Sequence, residues 1–186
     1  MLDLNQVDKS WTLFLDRDGV LNHEKKEDYI LHWGEFRFYD GVLEALKQLN
    51  EAFGVIVLVT NQRGIGKGLM TLDDLANIHS NMMEQIKAAG GRIDKLYFCA
   101  DLDHESPCRK PNPGMAELAK QDFPEIDFNK SIIVGNKLSD MKFGRNAGMH
   151  TVYVATTNPE VTVEDEHVDL RFSNLKEFAE TVAKKS

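Results

Sequence analysis

The feature that most constrains this chain is a recurrence of short, β-rich apolar runs separated by stretches long enough for a helix. Residues 12–15 (TLFL), 55–59 (VIVLV), 95–99 (KLYFC), 131–134 (SIIV) and 151–154 (TVYV) read as strands. The second and fourth are apolar almost throughout, the pattern of strands covered on both faces. Between and after them, residues 40–53, 71–89, 112–121, 140–147 and 174–184 read as helices. Val42, Leu43, Leu46 and Leu49 recur at helical spacing, and Thr71-x-x-Asp74 is a capping signature ahead of an apolar stripe. Asn112 reads as an N-cap with Pro113 in the first turn. Strand and helix alternating in this way predict an α/β fold, a three-layer Rossmann-like parallel sheet with helices on both faces. The 186 residues carry no repeat, low-complexity tract or linker, so a single domain over 1–186 is expected.

In such sheets ligands bind at the carboxyl ends of the strands, so the polar residues that follow each strand are the site candidates. Asp16 and Asp18 follow the first strand, Thr60 and Asn61 the second, Arg109 and Lys110 come in the loop after the third, and residues 136–140 follow the fourth. In extended chain Asp16 and Asp18 share a side and Arg17 points away. Two carboxylates held close repel unless a proton or cation intervenes, an arrangement suited to a nucleophile, an acid and an oxygen-ligated divalent metal. Thr60 opens a glycine-rich stretch (TNQRGIGKG) whose hydroxyl and backbone N–H groups suit a phosphate oxygen. Arg109 and Lys110 stand beside a helix start, where cations oppose the macrodipole, so an anion is expected there. Asn136, Lys137 and Asp140 offer an amide oxygen, a cation and a carboxylate to the same edge. Each cluster alone also fits an ordinary strand-ending turn or solvated loop; the combination is what carries information.

Four clusters in this order and spacing resemble the haloacid dehalogenase superfamily of phosphohydrolases, over nearly the whole chain from Phe14 to Phe172. FLDRDGVLN, VTNQRGIGKG, CRKPNPGM and VGNKLSDM are most similar to the D-glycero-D-manno-heptose 1,7-bisphosphate phosphatases, and histidinol-phosphate phosphatases share much of the pattern. The resemblance implies a magnesium-dependent phosphomonoester hydrolase working through an aspartyl phosphate. Asp16 is then the nucleophile and Asp18 the acid and base, with Thr60 and Lys110 stabilising the phosphoryl group. Asn61, Arg109, Lys110 and Lys137, with Glu27, Asp28 and Tyr29 from a loop, contact a small phosphorylated metabolite such as a sugar bisphosphate. Mg²⁺ is held by Asp16, the backbone carbonyl of Asp18 and the side chain of Asn136, with Asp140 in support. The spacing leaves room for a flap between residues 22 and 37 but for no large cap domain.

Two departures stand out. Asn136 occupies a place where the family usually carries aspartate, which removes a charge from the metal site and admits a non-catalytic binder of phosphorylated metabolites as a rival reading. The heptose branch often carries Cys-x-His and Cys-x-Cys zinc ligands, whereas here the loop is short and Asp101 and Ser106 stand in two of those places. Cys99, His104, Cys108 and an aspartate form a conceivable zinc set, but two thiols that bind nothing are the expectation. The remaining histidines are assigned no chemistry. Formal charge is −8, which disfavours nucleic acid and anionic membranes as partners. With a polar amino terminus and no long apolar run, a cytoplasmic protein acting as a monomer is expected.

Overall fold

Parallel pairing runs through every strand of the sheet in the computed structural model, which describes residues 2–184. The strands are β1 (Thr12–Leu15), β2 (Val55–Asn61), β3 (Lys95–Cys99), β4 (Ser131–Gly135), β5 (His150–Val154) and β6 (Leu170–Phe172), in the spatial order β3-β2-β1-β4-β5-β6. Five lie where the apolar runs place them. The sixth is short and half-exposed, with Arg171 at its centre, and has no apolar run to announce it.

Strand alternation divides the core between two faces. Leu13, Leu15, Ile56, Leu58, Ile132 and Val134 face one side, against α1 (Val42–Ala52), α3 (Leu72–Ala88) and α6 (Leu175–Ala183). Phe14, Val57, Val59 and Ile133 face the other, against α4 (Gly114–Asp122) and α5 (Leu138–Ala147). Each of these side chains is fully buried, worth about 1.5–3 kcal/mol apiece by transfer. Gly144 allows α5 to lie close on the sheet, since a Cβ there would meet Ile133 Cγ2 at 2.4 Å and Thr151 Cγ2 at 2.8 Å.

The Thr71–Asp74 capping box forms as its spacing predicts. Asn112 does not cap α4. Its amide instead donates to the carbonyls of His104 and Ser106, and Pro113 holds the cap position. The stretch expected to be a glycine-rich loop contains a short helix, α2 (Arg63–Gly66). Between β1 and α1 the chain forms a loop closed by a bridge between Asn22 and Phe38 and by the 3-10 turn Trp33–Glu35. Among the described residues no helix is long and apolar enough to cross a membrane.

The sheet order reverses direction between β1 and β4, which opens a crevice at their carboxyl ends. On the outer side, Asp169 fastens the last strands. Its carboxylate accepts from Arg145 Nη1 at 2.9 Å and Nη2 at 2.6 Å, and from the Thr151 N–H at 2.9 Å. Burial pushes this carboxyl up, but Arg145 and the Thr151 N–H outweigh it and hold it below the ordinary range. Asp169→Ala should cost about 1–3 kcal/mol in denaturant unfolding at pH 7, a range that allows for the partial exposure of the pair. Because the folded carboxyl is the stronger acid, that stabilisation is present above the usual carboxylate pKa and disappears as pH falls through the lowered one. The mutant and parent curves should therefore converge in strong acid; a gap that persists there would place the effect in packing.

Candidate active site

Asp16 emerges from the end of β1 into the crevice and is 7% exposed. Its Oδ1 accepts from Lys110 Nζ at 2.9 Å. The same ammonium donates to Val59 O at 2.8 Å and lies 2.7 Å from Asp140 Oδ1. Burial pushes Lys110 toward its neutral form, but Asp140 and Asp16 overcome this and raise its pKa, so the ammonium is retained. For Asp16 the balance goes the other way: burial and the Asp140 charge outweigh Lys110 and push its pKa up to about 7. Asn61 holds the Lys110 backbone in a reciprocal clamp, Oδ1 accepting from its N–H at 3.1 Å and Nδ2 donating to its carbonyl at 3.2 Å. The Lys110–Pro111 bond is cis.

These contacts change two expectations. The anions that offset Lys110 are the protein's own carboxylates. Asp140 has both oxygens engaged, Oδ1 by Lys110 and Oδ2 by the Lys137 N–H at 3.1 Å, so it supports the site by holding Lys110 and offers a cation little.

Arg17 does not point away. The chain leaves the strand at Leu15, and the fully buried Arg17 folds back, Nη2 donating to both oxygens of Asp18 at 3.0 Å. Asn22 Nδ2 at 2.9 Å and Gln62 Nε2 at 3.0 Å complete the set around that carboxylate. Burial opposes ionisation of Asp18, but the Arg17 charge and these donors prevail and hold its pKa below the ordinary value. Behind Arg17 stands His79, given no role by its place on a helix. Its Nε2 lies 3.2 Å from Arg17 Nη1, and burial beside the guanidinium drops its pKa to about 3. A neutral imidazole accepting from Arg17 follows.

Asn136 is fully buried at the end of β4. Its Nδ2 donates to Glu24 Oε1 at 3.1 Å and Thr157 Oγ1 at 2.7 Å, while its Oδ1 is buried without a partner. Gly19, at φ +88°, makes room: a Cβ there would fall 2.0 Å from Asn136 Nδ2. The residues present fit a hard divalent cation, with an orphaned amide oxygen just past β4 and a buried carboxylate just past β1.

A cavity of about 850 Å³ opens above these groups. Of the expected site residues, Asp16, Asp18, Thr60, Asn61, Lys110, Lys137 and Asp140 line it, as do Glu27, Asp28 and Tyr29 from the loop after β1. Asn136 and Arg109 do not: Asn136 is fully buried and does not reach the cavity surface. Arg109 is also buried, and its guanidinium donates to the Leu102 carbonyl, tying the preceding loop to itself. Several lining residues escaped the sequence reading: Glu24, Lys26, Arg63, Lys67, Thr157 and Asn158. Thr157 and Asn158 follow β5 and fall under the same strand-end rule that found the others. Lys67 sits 5.1 Å from the Tyr29 ring centroid, joining α2 to the loop across the cavity.

The 99–108 loop departs from both alternatives weighed for it. Cys99 and Cys108 are joined in a disulfide, with Cα atoms 5.5 Å apart, so neither sulfur is a thiol or a zinc thiolate. Asp101 lies beside them, its Oδ2 accepting from Ser106 Oγ at 2.5 Å, and His104 is not part of the group.

The family model described as "Polynucleotide kinase 3 phosphatase" matches residues 7–179. A D-glycero-alpha-D-manno-heptose-1,7-bisphosphate 7-phosphatase of Mycobacterium bovis is 36% identical over 175 residues, 92% of this chain and 91% of that protein. The corresponding beta-anomer phosphatase of Helicobacter pylori is 33% identical over 172 residues, 91% of this chain and 95% of that protein. Among solved structures, the D,D-heptose 1,7-bisphosphate phosphatase of B. bronchiseptica, complexed with magnesium and phosphate, superposes with a TM-score of 0.85 at 28% identity, covering 95% of this chain and 99% of that one. The chain therefore belongs to this family of haloacid dehalogenase-type phosphatases, as its four strand-end clusters imply.

Proposed function

We propose that this chain is a magnesium-dependent phosphatase that removes one phosphate from a small sugar bisphosphate of the heptose 1,7-bisphosphate type. The observation that carries the reading is the Asp16–Lys110–Asp140 cluster, which sets a buried carboxylate at the floor of a cavity with a second carboxylate, Asp18, beside it. The heptose bisphosphate phosphatases among its relatives support the substrate class, and because they include both anomers the anomer is left open.

Asp16 attacks phosphorus while the bond to the sugar oxygen breaks and Asp18 delivers a proton to that oxygen. Asp18 then takes a proton from water, whose oxygen displaces Asp16 and releases phosphate. The Asp18 carboxylate held by Arg17, Asn22 and Gln62 is in the form needed for the second step. For the first it must be protonated, which the nearby phosphate charge favours by raising its pKa. Lys110 faces the charge that develops at the reacting centre, and the Thr60 hydroxyl, buried and held by Gln62 Nε2 at 2.9 Å, stands ready as a donor. Bound at Asp16, the Asp18 carbonyl and Asn136, Mg²⁺ would supply Lewis-acid neutralisation of the phosphoryl oxygens. Lys26, Arg63 and Lys67 on the cavity wall receive the second phosphate; Arg63 Nε is buried with no partner of its own.

Asp16→Asn should leave the circular dichroism spectrum intact and reduce phosphate release to background, since an amide is no nucleophile. Asp18→Asn should lose about 10²–10⁴-fold in kcat, with nitrophenyl phosphate less affected than a sugar ester in the phosphorylation step. Near-normal turnover by either folded variant would remove it from the reaction.

The substrate class is tested separately, with kcat/KM measured on heptose bisphosphate, heptose monophosphates, histidinol phosphate and nitrophenyl phosphate. The bisphosphate should exceed every monoester by at least about tenfold. Arg63→Ala combined with Lys67→Ala should raise KM for the bisphosphate by about tenfold and leave nitrophenyl phosphate unchanged. Equal losses on both would show that the two cations do not read a second phosphate.

A further inference from the structure

We infer that Glu24 and Thr157 are positioning residues for the metal site: they hold the Asn136 amide with its oxygen toward the cation. The inference rests on the reading that the cation sits at Asn136. Both hydrogens of Nδ2 have a receiver, Glu24 Oε1 at 3.1 Å and Thr157 Oγ1 at 2.7 Å, and the side chain is fully buried. That pairing decides the orientation on chemical grounds. Turned over, the amide would set its oxygen against the Glu24 carboxylate, acceptor against acceptor, and present two N–H donors where Oδ1 now stands without a partner.

The two supports are themselves fixed. Glu24 Oε2 lies 2.8 Å from Lys137 Nζ, so the carboxylate is pinned from its far side. Asn158 Nδ2 donates to Thr157 Oγ1 at 3.2 Å and to the Asn136 carbonyl at 3.1 Å, tying the loop after β5 to the end of β4. The arrangement also suits the residue at 136. A carboxylate there would face Glu24 as a like charge at hydrogen-bond distance, whereas an amide turns the same contact into a charge-assisted bond. Glu24 is paired with Lys137 and Asp140 with Lys110, so the part Glu24 plays is to fix the amide.

The test is Mn²⁺ binding to the full chain without substrate, followed by the electron paramagnetic resonance signal of free Mn²⁺. Thermal melts accompany each variant. Glu24→Ala should weaken binding by about 10–100-fold, the range for lost partners of a metal ligand, and Glu24→Gln, which keeps an acceptor but no charge, by less. Thr157→Val should weaken binding, and Thr157→Ser, which restores the hydroxyl, should return it to the parent value; a merely structural loss would not be rescued in this way. Asn136→Asp should gain more in the Glu24→Gln background than in the parent, because the like-charge contact is then absent. Binding by Glu24→Ala within about twofold of the parent, while Asn136→Ala is weakened, would overturn the inference and leave the metal reading standing. Parent-like binding by Asn136→Ala would overturn both.

Discussion

The structure of the site depends on one buried ammonium. A lysine at 4% exposure is prohibitively costly without partners, and Lys110 has three: Asp16 from the end of β1, Asp140 from α5 and the Val59 carbonyl of β2. Its backbone is held by a fourth, Asn61. The ends of two strands and one helix thus share a single charge balance. Taking away the ammonium leaves two carboxylates facing each other uncompensated in the interior, unlike loss of the exposed Lys95–Asp122 pair, where water takes over at little cost. Positioning of the proposed nucleophile and cohesion of the crevice are the same interaction.

Much of the fold was legible because buried parallel strands must be apolar on both faces, and runs such as VIVLV satisfy little else. What escaped had no such signature. The strand Leu170–Phe172 is short and half-covered, and Arg63–Gly66 carries two glycines that read as loop. Asn112 has the chemistry of a cap, but its amide is taken by carbonyls of a loop six to eight residues back. Competition of that kind depends on where a loop folds, which local pattern does not encode.

The site shows the same division. Strand-end position identified Asp16, Asp18, Thr60, Lys110 and Asn136, because topology alone delivers those positions to one edge. Side-chain direction beyond the strand did not follow. Arg17 turns inward to Asp18, and Arg109 spends its guanidinium on Leu102. The lysines and arginine of the cavity wall come from a charged loop and a short helix with no periodicity to single them out. Thr157 and Asn158, by contrast, follow β5 and lie within reach of the rule applied to the other strands.

The raised pKa of Asp16 has a consequence for the folded state as a whole. Its carboxyl is a weaker acid here than in an unfolded chain, so as pH climbs from the ordinary carboxylate range through about 7 its ionisation works against folding. At neutral pH the unliganded protein therefore holds back part of its attainable stability at the place where chemistry is proposed to occur. A cation bound beside Asp16 favours the ionised form and relieves that opposition, which links ligand occupancy to resistance against unfolding.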